Sequence, residues 1–152
     1  HQGQHAIAGE WGHISLSWMS KEEYPGIECY CGKRGCLETY ISGTGFENEY
    51  KKQTGTNKSG REIAALLEQN DKSAEKTMQL YESRLARGIA TVINIIDPDI
   101  LVLGGGMSNI SRIYKNLPKL VQKWTFGGEF STPIRPAKHG DSSGVRGAAW
   151  LW

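Results

Sequence analysis

The stretch Asn94-Ile95-Ile96-Asp97-Pro98-Asp99-Ile100-Leu101-Val102-Leu103-Gly104-Gly105-Gly106 changes backbone state twice. Upstream of it, Leu85, Ile89, Val92, Ile93 and Ile96 recur at steps of three and four, which predicts a helix from about Ser73 to Ile96. Its last turns are apolar nearly all round, so that end is expected to be buried. Pro98 disfavours helical geometry at Asp97 and ends the helix there. Ile100–Leu103 then reads as a short buried strand, and the three glycines turn it into a helix running from Ser108 or Ile110 to Trp124. Helix, strand, glycine turn and helix in this order predict an α/β fold.

Working outward, Ile134–Ala137 reads as another strand and residues 144–152 as a closing helix. On the other side, Ser59 followed by Glu62 is a capping box for a helix with Ile63, Leu66 and Leu67 on its apolar stripe. Ser42 or Thr44 caps a helix that carries Phe46 and Tyr50 and ends near Gly55. Asn70-Asp71 falls at a helix junction and reads as a cap. Ile14–Trp18 alternates apolar and polar residues like a strand, and Met19–Ile27 reads as an exposed loop.

The 152 residues carry a net charge of +2 with scattered basic residues, which argues against nucleic acid as a partner. No apolar run is long enough to span a bilayer, so no membrane partner is expected. A cytoplasmic location is the plain reading. His1 opens the sequence in the middle of a segment, so truncation on the N-terminal side is expected.

The three cysteines all lie in Cys29-Tyr30-Cys31-Gly32-Lys33-Arg34-Gly35-Cys36. An odd count cannot pair fully within the chain, and such a cluster reads as metal chemistry before disulfides. Three thiolates and one imidazole make a closed tetrahedral zinc set. Gly32 and Gly35 supply the positive φ angles a tight ligand turn needs. The fourth ligand is one of His1, His5, His13 and His139. His13 is preferred, because it precedes a strand and loop that can return it to the cysteines. The competing readings are free thiols and, less so, a redox site, which the absence of Cys-x-x-Cys disfavours.

Glu10-x-x-His13 with Cys29-x-Cys31-Gly32-x-x-Gly35-Cys36-x-Glu38 resembles the signature of the ROK family (repressors, open reading frames and kinases). The resemblance continues through Asn94–Asp99, Val102–Gly106 and Ala137–Ala149, and within the family it points to the bacterial fructokinases. It implies the C-terminal domain of an actin-like, ribonuclease H-like sugar kinase, a mixed sheet with packed helices and a zinc-binding loop. Residues 1–152 are then one partial kinase domain, with a zinc-binding segment over 10–38 and a nucleotide-side segment over 42–152. It further implies phosphorylation of a hexose, fructose first and mannose second, at the 6-hydroxyl by ATP with Mg2+.

On this resemblance Glu10, His13 and Glu38 line the sugar pocket, with zinc on His13, Cys29, Cys31 and Cys36. Carboxylates suit sugar hydroxyls as acceptors, and His13 is expected to give one ring nitrogen to zinc and the other to a sugar hydroxyl. Gly104, Gly105 and Gly106 are placed near adenosine, and Ser42-Gly43-Thr44-Gly45, Thr44 among them, in another wall of the nucleotide cleft. Without the resemblance, the two glutamates would read as surface acids and the glycines as a packing turn. The family's Asp-x-Gly-Gly-Thr phosphate loop and catalytic aspartate have no counterpart in the sequence, so no catalytic residue is assigned and the 152 residues alone are expected to be inactive. A homodimer, or a second chain carrying the missing part, is the expected partner. The alternatives are a sugar-responsive ROK regulator and a zinc-stabilised module without catalysis.

Overall fold

A computed structural model describes residues 3–150. The elements run α1 (Glu38–Ile41), α2 (Gly43–Thr54), α3 (Gly60–Glu68), α4 (Lys72–Ile96), β1 (Leu101–Leu103), α5 (Arg112–Gln122), β2 (Ile134–Pro136) and α6 (Ser143–Ala149). Short 3-10 turns occupy Trp11–His13, Gly106–Asn109 and Phe126–Gly128.

The caps are local chemistry. Ser42 accepts from the Gly45 N–H at the start of α2, and Gly55 ends that helix in the left-handed region at φ +74°. Ser59 and Glu62 form the reciprocal capping box of α3. Asp71 accepts from the Ala74 N–H at 2.8 Å and starts α4. At the other end Asp97 adopts φ +48°, ψ +60°, and Pro98 follows it.

Helix α4 is the axis of the fold. Ala74, Met78, Tyr81, Leu85 and Ile89, spaced by three and four, are buried along one face. Phe46 and Tyr50 of α2, Ile63 of α3, Ile113, Leu117 and Val121 of α5, and Ile134 of β2 complete that core. A smaller cluster of Leu16, Leu37 and Tyr40 sits under the N-terminal segment. Strands β1 and β2 pair in parallel, Leu101 opposite Ile134 and Leu103 opposite Pro136.

Four expectations need correction. The strand at Leu101–Leu103 is not buried: Val102 is 57% exposed, because the two-stranded sheet leaves one face uncovered. Ile14–Trp18 is not a strand; only an isolated bridge joins Ser15 to Cys36, because the segment pairs with the cysteine turn and not with a sheet. The last turn of α4 is not buried. Ile95 and Ile96 are 75% and 67% exposed, since the packing face of the helix turns away from them. Met19–Ile27 is not uniformly exposed either. Glu23 turns inward and keeps only 7% of its side chain accessible, for the electrostatic reason that Arg84 and Arg87 of α4 lie beneath it.

Candidate metal and sugar site

The cysteine turn folds on backbone hydrogen bonds. The Gly32 N–H donates to the Cys29 carbonyl at 3.0 Å and the Cys29 N–H to the Lys33 carbonyl at 2.9 Å. Gly32 and Gly35 take φ of +83° and +75°. Gly26 crosses Gly35 so closely that a Cβ on Gly26 would lie 2.5 Å from the Gly35 Cα. The whole segment is seated on α4 at Gly88, where an added Cβ would meet Trp11 at 2.8 Å and Leu37 at 2.9 Å.

This fold brings one ligand atom each from His13, Cys29, Cys31 and Cys36 within 4.8 Å of one another. The Cys31 and Cys36 sulfurs are 3.5 Å apart, and His13 Nδ1 is 3.6 Å from the Cys29 sulfur. A tetrahedral zinc with ordinary bond lengths needs about 3.8 Å between sulfurs and about 3.6 Å from sulfur to nitrogen. The donor set therefore fits zinc in chemistry and in spacing. All three cysteines are free of disulfides. The Lys33 backbone N–H, acting first, brings the Cys31 thiol down to about 7, while burial pushes Cys36 up to about 12. His5 and His139 are exposed and stand outside the cluster; His1 lies outside the described residues.

His13 turns Nδ1 toward the sulfurs and Nε2 away from them. Nε2 is 2.8 Å from the Tyr30 hydroxyl, and the rings meet edge-on with centroids 5.1 Å apart. Desolvation of the hydroxyl against the cluster, and then the charges of Glu38, Cys29, Cys31 and Glu10, hold the Tyr30 phenol above its ordinary range. Glu38 opens α1 immediately after Leu37, and a Cβ on Gly12 would come within 3.7 Å of its carboxylate. Glu10 caps the turn that carries His13 and is exposed. Glu10 thus stands at the head of the turn that carries His13, and Glu38 lies against Gly12 of the same turn.

Glu23 ties the loop before the cysteines to the core. It accepts from Arg84 Nε at 2.9 Å, from Arg87 Nη1 and Nη2 at 2.7 Å each, and from the Ser20 N–H at 2.9 Å. Burial alone would raise its pKa, but the donors, Arg87 foremost, win and bring it down to about 2. Arg84 also reaches Glu49 at 2.8 Å.

A separate cavity of about 910 Å³ opens between α2, α3 and the glycine turn. Gly104, Gly105 and Gly106 line it together with Ser42, Gly43, Arg61 and Asp141. Gly105, at φ +76°, ψ +171°, is in backbone space reserved for glycine, and its N–H donates to the Asp141 carbonyl. Thr44 is exposed and is not among the lining residues. Arg112, also on the wall, is clamped by Glu75 and the buried Glu82, and these hydrogen bonds raise its pKa further.

Tyr30 and Glu23 have no distinctive sequence signal, whereas Asp141 lies in the Ala137–Ala149 match. Tyr30 sits between two ligands, which is the one hint that could have singled it out.

An α/β chain with a Cys3His cluster and a separate glycine-lined cavity has parts expected of a zinc-loop sugar kinase domain. The ROK family signature matches residues 1–152, and the chain belongs to that family. It is 40% identical over 157 aligned residues to an N-acetyl-D-glucosamine kinase of Haemophilus influenzae, covering 100% of this chain and 52% of that protein. It also superposes on a ROK hexokinase from Thermus thermophilus with a TM-score of 0.82 and 27% identity, over 99% of this chain and 49% of that one. A ROK glucokinase from Streptomyces griseus, solved with glucose and AMPPNP, shares the fold at a TM-score of 0.85 and 24% identity, over 99% and 53% of the two chains. The chain spans about half the length of the curated relatives it matches. Among the described residues, no helix is long and apolar enough to cross a membrane.

Proposed function

We propose that this chain supplies the zinc, sugar and adenosine sides of a cytoplasmic, ATP-dependent ROK hexose kinase. The observation that carries the reading is the convergence of His13, Cys29, Cys31 and Cys36, with Glu10 at the head of the His13 turn and Glu38 against Gly12. His13, Cys29, Cys31 and Cys36 would hold zinc, which supplies rigidity to a segment that otherwise has little regular structure. With Nδ1 committed to the metal, His13 keeps its proton on Nε2 and becomes a fixed donor. Glu38 and Glu10 are acceptors for the hydrogens of neighbouring sugar hydroxyls. The cavity at Gly104–Gly106 suits the adenosine of ATP, taken with Mg2+.

The choice of sugar shifts. The sequence resemblance put fructose first, whereas the relative described above is a kinase of N-acetyl-D-glucosamine. N-Acetyl-D-glucosamine is therefore the first substrate to assay, with fructose, mannose and glucose beside it.

The test is phosphotransfer from ATP by the full-length protein to each of these sugars, with Glu38→Gln as the partner variant. We expect turnover of at least one hexose, with catalytic efficiency reduced about ten-fold or more in Glu38→Gln, as expected on losing a charge-assisted hydrogen bond. No turnover of any hexose would refute the kinase reading, and an unimpaired Glu38→Gln would remove Glu38 from the sugar site.

A further inference from the structure

Tyr30 is 82% exposed, yet its hydroxyl is fixed at 2.8 Å from His13 Nε2. An exposed tyrosine ordinarily leaves its hydroxyl to water. Here one hydrogen bond and one edge contact to the same histidine hold it, so little resists its removal. With the metal ligand at Nδ1, Nε2–H donates and the phenol oxygen accepts, which leaves the phenol proton free to point outward. A sugar hydroxyl bound at the same nitrogen would do the same: its oxygen accepts from Nε2–H, and its proton goes to a carboxylate.

We propose that Tyr30 is a displaceable stand-in for the substrate: its hydroxyl occupies the His13 Nε2 position in the free protein and yields it to a hexose hydroxyl on binding. Tyr30 thereby sets sugar affinity by competing for the donor. The proposal rests on the sugar-site reading given above.

The competing role is that of a plain orienting partner, since metal-bound histidines commonly donate their second N–H to a neighbouring acceptor. The two roles have opposite consequences when the hydroxyl is removed. An orienting partner strengthens the metal site and leaves sugar binding alone; a competitor weakens sugar binding and leaves the metal alone.

The experiment is calorimetric titration of the zinc-loaded, full-length protein with N-acetyl-D-glucosamine and with fructose. Wild type, Tyr30→Phe and Tyr30→Leu are compared, with zinc affinity measured in parallel by competition with a chromophoric chelator. Removing one net hydrogen bond that must break before binding is expected to lower the sugar Kd about five-fold. Both variants should show it, with zinc affinity unchanged. Sugar binding that is unchanged or weaker in both variants overturns the proposal, and so does a loss of zinc affinity with unchanged sugar binding. If wild type binds no hexose, the sugar-site reading falls and the proposal falls with it. If wild type binds and the variants bind no tighter, only the displacement falls.

Discussion

Glu23→Gln removes a buried charge that joins the loop before the cysteines to the core. The wild-type carboxylate receives four donors, three from Arg84 and Arg87 and one from the Ser20 backbone. The side chains of Glu23, Arg84 and Arg87 are 7%, 8% and 5% exposed. Glutamine removes the charge and turns an amide NH2 toward guanidinium donors, leaving both arginines buried and short of a counter-charge. Removing one partner of a buried pair is expected to cost about 3–5 kcal/mol. Arg84 retains Glu49 at 2.8 Å and Arg87 retains the Trp18 carbonyl at 2.8 Å, so the lower end applies, about 3 kcal/mol.

The acid side gives a second signature. The folded Glu23 pKa, about 2, lies below its ordinary value of 4.5. Its stabilisation is therefore complete above the unfolded value and is lost as pH falls from about 4.5 toward about 2. Urea denaturation of the full-length protein, followed by far-ultraviolet circular dichroism at pH 7, 4 and 3, reads both effects. The difference between wild type and variant should be largest at pH 7 and shrink at pH 3. A loss below about 0.5 kcal/mol at pH 7, the range of an ordinary surface substitution, would mean that the Glu23 charge does not hold the segment to α4.

Two further substitutions probe how the segment is built and seated. Gly26→Ala places a Cβ 2.5 Å from the Gly35 Cα at a φ of +94°, so chelator competition should show weakened zinc binding and denaturation a loss of about 1–3 kcal/mol. Gly88→Ala drives a methyl group into Trp11 and Leu37; over-packing there should lower stability by about 1–3 kcal/mol in urea, and an unchanged midpoint would mean that the segment is not seated on α4.

Local chemistry was legible in the sequence, and long-range electrostatics was not. The Ser59–Glu62 capping box, the Asp71 cap and the stop at Asp97-Pro98 depend on residues a few positions apart, and each forms as read. The three cysteines likewise announce themselves by spacing, the sequence already prefers His13, and the fold brings it to them rather than His5 or His139, the other described histidines. Glu23 looked like a loop residue because its partners lie 61 and 64 positions away. Thr44 was placed by resemblance at the nucleotide cleft, but the helical phase of α2 turns it outward, while Ser42 and Gly43 reach the cavity. Tyr30 escaped notice because an exposed tyrosine carries no signal until its hydroxyl is seen on His13.

If His13 serves both, the metal clip and the sugar site are one structure. The direct test is zinc content and sugar KM measured together on Cys31→Ser in the full-length protein. Loss of zinc with a rise in KM of about ten-fold or more is expected, in line with what disturbing the surroundings of a metal-held residue does to activity. A zinc-free variant with the wild-type sugar KM would contradict this.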